Sequence, residues 1–168
     1  MELLIVRHAI AVERGDAAFA NDDERPLTPD GIHKFRAAAR GLRDLGVKLD
    51  RILTSPLVRA RQTAEILRDA VASEIDLDFS KHLAPGGDYA ALLSAVGALH
   101  ADRVAVVGHE PHLSGFLSYC LVGGDARGSF LLKKGAAALV LFDGRPDAGA
   151  GTLEWLIQPG ALRGVGQK

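Results

Sequence analysis

A chain of 168 residues with 48% apolar and 24% charged residues has the size and composition of one soluble globular domain, so residues 1–168 are read as a single domain. Twenty Lys and Arg nearly cancel 21 Asp and Glu, which argues against nucleic acid or an anionic membrane as a partner and makes any anion site a local one. A lone Cys120 excludes an intrachain disulfide or a cysteine-built zinc centre. Glu2 stands where a signal peptide would be basic, and no apolar run approaches the ~20 residues that span a bilayer, so a cytoplasmic location is expected.

Short apolar runs alternate with segments of helical period, the pattern of βαβ units on a mostly parallel sheet. Residues 2–7 read as the first strand, and Asn21-Asp22-Asp23-Glu24-Arg25-Pro26 as an exposed loop. Thr28-Pro29-Asp30-Gly31 opens a helix with a capping hydroxyl and a proline in the first turn, and Ile32, Phe35, Ala39, Leu42 and Leu45 follow at helical spacing until Gly46. Residues 51–54 form the next strand. Ser55-Pro56 repeats the cap-then-proline start, with Leu57, Ala60, Ala64, Leu67 and Val71 as the buried stripe.

A short strand over 75–79 precedes the turn Pro85-Gly86-Gly87-Asp88 and a helix carrying Leu92, Val96 and Leu99. Residues 103–107 make the third core strand. Leu113, Phe116, Leu117 and Cys120 mark a further helix, broken at Gly123-Gly124-Asp125. Residues 136–142 and 152–157 read as an antiparallel pair at one end of the sheet, and the tail after Pro159 is expected to fray.

Three apolar runs end in basic residues: Leu3-Leu4-Ile5-Val6-Arg7-His8, Arg51-Ile52-Leu53-Thr54-Ser55-Pro56-Leu57-Val58-Arg59, and Val104-Ala105-Val106-Val107-Gly108-His109. If these are neighbouring parallel strands, two arginines and two histidines converge at their carboxyl edge, where open α/β sheets bind ligands. Each residue alone reads more simply as an ion-paired arginine or an edge histidine. Together they suit a phosphoryl group, with Arg59 near a helix start and Gly108 letting backbone approach a ligand. Arg61 has Glu65 four residues on and reads as a surface charge.

Arg7-His8-Ala9, Leu27-Thr28-Pro29-Asp30-Gly31, Ser55-Pro56-Leu57-Val58-Arg59-Ala60-Arg61-Gln62-Thr63-Ala64 and Val107-Gly108-His109-Glu110-Pro111 resemble the histidine phosphatase superfamily, and within it the small phosphohistidine phosphatases. Ala9 stands where much of that superfamily has glycine. The resemblance implies a phosphoglycerate mutase-like fold, a three-layer α/β/α sandwich whose mostly parallel central sheet has an antiparallel edge. It implies that His8 is a nucleophile that becomes phosphorylated and is then hydrolysed, with Arg7, Arg59 and His109 binding the phosphoryl oxygens. Attack requires a neutral His8, its other ring nitrogen held by an acceptor such as a backbone carbonyl. An unperturbed imidazole titrates near ~6.5, so mild acid would slow the first step unless the site compensates.

The superfamily's proton donor has two counterparts here, Asp88 and Glu110. Asp88 also reads as a helix-start acid, Glu110 as a cap or ion-pair partner, and His82 as a surface loop residue. A phosphohistidine leaves as an imidazole and asks less of an acid than an ester does. Few residues separate Pro85 from the strand at 103, too few for a cap domain, so the expected partner is a phosphorylated protein carrying phosphohistidine. A small phosphate ester is the runner-up, phosphate ion the product, and no cofactor or metal is expected. A metallohydrolase built on His8, His109, His112 and Glu110 is disfavoured by Pro111 and by two arginines that repel a cation. A phosphate-binding module without catalysis is the alternative from another class.

Overall fold

Four of the chain's apolar runs become parallel strands: β1 (Glu2–Arg7), β2 (Arg51–Thr54), β3 (Leu77–Phe79) and β4 (Arg103–Gly108). β5 (Ala137–Leu141) and β6 (Thr152–Ile157) add the antiparallel edge, giving one six-stranded sheet in the order β3-β2-β4-β1-β5-β6. The computed structural model describes residues 1–72, 74–124 and 130–166. Asp125, expected to help end a helix, lies outside the described residues.

Among the described residues five helices cover the two faces: α1 (Pro29–Asp44), α2 (Val58–Val71), α3 (Tyr89–Ala98), α4 (His112–Val122) and α5 (Pro159–Val165). β1 and β4 are apolar at nearly every position because both of their faces are buried. Leu3, Ile5, Val104 and Val106 point to α3 and α4 and pack with Leu92, Val96, Phe116, Leu117 and Cys120. Leu4, Val6, Ala105 and Val107 point the other way, against Phe35, Ala38, Leu42, Ala64 and Leu67 of α1 and α2. Burying one such Leu, Val or Phe fully is worth about 1.5–3 kcal/mol, so the two central strands anchor both cores at once.

Local chemistry sets several boundaries. The Thr28 hydroxyl accepts from the Gly31 N–H at 2.9 Å and caps α1, with Pro29 in the first turn. A side chain at Gly31 would overlap the Ile10 carbonyl, so glycine lets α1 start directly against the chain leaving β1. Gly46, at φ +84°, ends that helix.

Four expectations need correction. Ser55 does not cap α2: the helix begins at Val58 with Leu57 at its N-cap, and the Ser55 hydroxyl is used elsewhere. Residues 21–26 are not a plain exposed loop, since Asp22–Glu24 form a 3-10 turn and Arg25 is buried. The tail does not fray after Pro159. Pro159 instead starts α5, where its missing N–H costs nothing, and Leu162 is fully buried in the α1/α2 core. The β3 strand is also shorter than 75–79.

α5 lies so close to α1 that a Cβ on Gly41 would overlap the Leu162 carbonyl. Gly41→Ala should therefore lower the unfolding free energy by about 1–3 kcal/mol. Urea denaturation checks this, and an unchanged midpoint would refute the close packing.

Candidate active site

Strand register brings the three basic motifs together. Arg7 pairs across the sheet with Gly108, and Thr54 with Val107. Past the register pairs, the His8 N–H donates to the Gly108 carbonyl and the Ser55 N–H to the Val107 carbonyl, both at 3.0 Å. His8 and His109 therefore leave adjacent strands side by side, their ring centroids 5.0 Å apart. Gly108 serves packing rather than ligand approach, because a Cβ there would press at 3.1 Å on both the Leu83 carbonyl and the Leu113 side chain.

His8 is 7% exposed, and its Nδ1 lies 2.7 Å from the Ala9 carbonyl. A carbonyl oxygen only accepts, so Nδ1 carries the hydrogen and Nε2 keeps its lone pair. The backbone after His8 is fixed from α2, where the Thr63 hydroxyl accepts from the Ala9 N–H at 3.0 Å and donates to the Arg59 carbonyl at 2.7 Å. Thr63 thereby ties the chain after β1 to the helix that bears Arg59.

Burial is the largest cause of a His8 pKa lowered to about 3, and the charges of Arg59, Arg7 and Lys134 push the same way against the opposing Ala9 bond. His109, 2% exposed, is lowered to about 3 by burial, by His8 and by Arg59. Its Nε2 is 2.9 Å from the Ser55 hydroxyl, which also accepts from the Leu57 N–H at 3.3 Å. Ser55 thus orients the second histidine instead of starting a helix. The buried Ser55 O–H has no other acceptor among the described residues, so it donates to Nε2 and the His109 hydrogen sits on Nδ1.

Arg59 is 2% exposed and is held from the 3-10 turn: its Nη1 donates to the Asp22 carbonyl at 2.7 Å and its Nη2 to Asp22 Oδ2 at 3.1 Å. Asp22 also receives Arg25 at 2.9 Å and Arg14 at 3.1 Å. Desolvation works to raise its pKa, but the Arg25 and Arg14 hydrogen bonds and the Arg59 charge outweigh it and hold the group at about 2. Sequence reasoning passed over Asp22, which stands in a polar loop as one of three consecutive acids before Arg25. Arg7 Nη1 donates to the Leu132 carbonyl at 2.7 Å. Arg61 faces solvent and pairs with Glu65 at 3.9 Å.

Arg7 Nε, Arg59 Nε and His109 Nδ1 are buried without a hydrogen-bond partner among the described residues. Buried donors are normally satisfied, so three of them on residues gathered at one strand edge match the oxygens of a tetrahedral anion. The two candidate acids differ. Asp88 accepts from the Ala91 N–H at 2.7 Å and caps α3. Glu110 takes the Ser114 hydroxyl on Oε2 at 2.7 Å, while its Oε1 is buried without a partner among the described residues and its charge is felt at Arg7. His82 is half-buried in a 3-10 turn, and the His112 ring lies tilted against Tyr89 at 4.8 Å between centroids. Among the described residues no group of three or more His, Cys, Asp or Glu is arranged to hold a metal ion.

The model of the histidine phosphatase superfamily (branch 1) matches residues 3–83. The phosphohistidine phosphatase SixA of Escherichia coli K12 is 33% identical over 168 residues, 97% of each chain. The chain belongs to the histidine phosphatase superfamily. An uncharacterized protein of Picosynechococcus sp. is 42% identical over 116 residues, 67% of this chain and 68% of its own. In three dimensions this superfamily member is similar to the protein histidine phosphatase SixA solved with tungstate, with a TM-score of 0.84 at 28% identity over 96% of this chain and 99% of that one. The three-layer, phosphoglycerate mutase-like α/β fold expected from sequence is the one observed. No helix among the described residues is long and apolar enough to cross a membrane.

The site compensates for mild acid, since both histidines stay neutral in the fold down to about pH 3. In the unfolded chain each takes up a proton below ~6.5. Between those values the unfolded state binds more protons, so stability is complete above ~6.5 and falls as the pH drops toward 3, by up to about 1.4 kcal/mol per pH unit for each histidine. NMR titration should show no midpoint for His8 or His109 between pH 5 and 8. A midpoint near ~6.5 for either would refute the burial account.

Proposed function

We propose that this chain is a phosphohistidine phosphatase that takes a phosphoryl group from a histidine on a protein and carries it transiently on its own His8. The observation that carries the reading is the hydrogen bond from His8 Nδ1 to the Ala9 carbonyl, which leaves a neutral Nε2 with its lone pair inside a cation-lined site. The full-length likeness to SixA supports the substrate class, and the tungstate in that solved structure supports a tetrahedral oxyanion as the bound group.

In the first step the Nε2 lone pair forms a bond to phosphorus while the bond from phosphorus to the substrate imidazole breaks. The released electron pair stays on the departing nitrogen and takes up a proton. Water then forms a P–O bond, the P–Nε2 bond breaks, and phosphate leaves with His8 neutral again. Little covalent help is needed beyond placement and charge, because phosphoryl transfer spreads its charge over the equatorial oxygens. Arg7, Arg59 and His109 carry the unpartnered donors that meet those oxygens. These side chains complement the developing anion directly, so the reaction is proposed to run without a metal.

Glu110 is the group we assign to proton transfer, giving up a proton to the leaving group and taking one from the attacking water. Its buried Oε1 is free and it lies within electrostatic reach of Arg7, whereas the Asp88 carboxylate is committed to the α3 cap. Hydrolysis of a small phosphate ester is the second reading. It is favoured by the same acid, since an alkoxide leaving group needs a proton more than an imidazole does.

His8→Ala should abolish hydrolysis of a phosphohistidine protein, while the wild type, quenched during turnover, retains labelled phosphate on His8 and keeps its rate in EDTA. Near-wild-type turnover by the variant overturns the nucleophile assignment, and loss in EDTA restored by a divalent ion overturns metal independence. Run beside a panel of small phosphate esters, the wild type should prefer the phosphoprotein. Glu110→Gln should slow ester hydrolysis on the order of 10²-fold or more and phosphohistidine hydrolysis far less. Equal losses on both would remove Glu110 from the proton-transfer role.

A further inference from the structure

A small cleft begins at Ala9, next to His8, and its lining includes Phe35, Gly135 and three cations: Lys34 from α1, Lys134 from the segment before β5, and Arg163 from α5. The position of Lys134 is set by its neighbour. The Gly135 N–H donates to the carbonyls of Arg7 at 3.2 Å and His8 at 3.1 Å. Gly135 itself sits at φ +83° with Phe35 3.3 Å from where a Cβ would be, so the turn suits glycine and little else. Lys134 is thereby pinned beside the strand end that bears His8, and its charge is among those felt there.

These cations are available for a ligand. Lys134 and Arg163 form no ion pair among the described residues. Lys34 holds Asp30 at 2.7 Å, an exposed pair of the kind that exchanges readily with solvent. In a chain whose net charge is −1, three cations from three separate elements around one cleft are a local concentration and not a reflection of bulk charge. The cleft's volume is about 10 Å³, room for about one water. It cannot engulf a second phosphate or a nucleotide, so a ligand must lie across its rim.

We infer that this rim receives acidic side chains of the phosphoprotein substrate that lie next to its phosphorylated histidine. The assignment rests on the phosphatase reading above and adds to it a charge requirement on the substrate. Complementary charge of this kind speeds encounter and selects among partners more than it adds raw affinity. It operates only when the carboxylate and the phosphoryl group belong to one molecule, because the cleft begins at the residue after His8.

Two phosphohistidine peptides that differ only in carrying Glu or Ser around the phosphorylated residue test this. With the wild type near 0.15 M salt, the Glu peptide should show a KM about tenfold below that of the Ser peptide, and high salt should erase the difference. The double variant Lys134→Glu/Arg163→Glu should remove or invert the preference. Lys134→Ala and Arg163→Ala, made separately and checked by circular dichroism, each should reduce it severalfold, which covers misfolding of the double variant. Equal KM values for the two peptides with the wild type, or a preference that survives charge reversal, overturns the inference and leaves the phosphatase reading standing. A wild type that hydrolyses neither peptide overturns both.

Discussion

Positive charge held out of water beside two imidazoles is the condition on which this site depends. Arg59 is almost wholly buried and Arg7 half-buried, at the edge of a sheet whose central strands have no exposed face. Protein atoms balance that charge only in part. Asp22 is shared among Arg14, Arg25 and Arg59, and Arg7 has one carbonyl and the nearby Glu110. Burial is the main cause that keeps His8 and His109 neutral; the remaining positive potential adds to it and makes an anion the ligand that fits. Burial and cationic charge act in the same direction: together they prepare the imidazole lone pair, and the charge attracts the group it is proposed to attack.

The scaffold converts strand register into chemistry. Opposing Arg7 to Gly108 fixes where His8 and His109 emerge, and parallel strands place both at the same edge. The supporting contacts come from elsewhere in the chain. Thr63 ties Ala9 to α2, Ser55 orients His109, Asp22 holds Arg59, and Gly135 closes the turn below Arg7 and His8. Each is a hydrogen bond between segments distant in sequence, and together they position the four candidate site residues.

The parts legible in the sequence were those whose cause is local or periodic. Continuous apolar runs marked β1, β2 and β4 because strands buried on both faces admit little else, and basic residues directly after such runs marked the site. Thr28 and Pro29 announced α1 because a cap acts within one turn. The misreadings share a different origin. Ser55 looked like a cap, but its hydroxyl is used by a histidine 54 positions away. The segment after Pro159 lacks a long apolar stripe, and what orders α5 is the glycine at position 41 that lets Leu162 reach the core. Asp22 looked like surface acid until Arg59 arrived from α2.

By itself, then, the sequence determined the layered α/β architecture, the family resemblance and the four residues at the strand ends, because burial pattern and short-range capping are written in consecutive positions. Only the tertiary structure decided which nitrogen of His8 carries the hydrogen, which side chains hold the arginines, which of the two acids has a free buried oxygen, and that a cationic rim flanks the site. Those properties depend on distances between segments far apart in the chain and on how completely each group is removed from water, and neither is encoded at any single position.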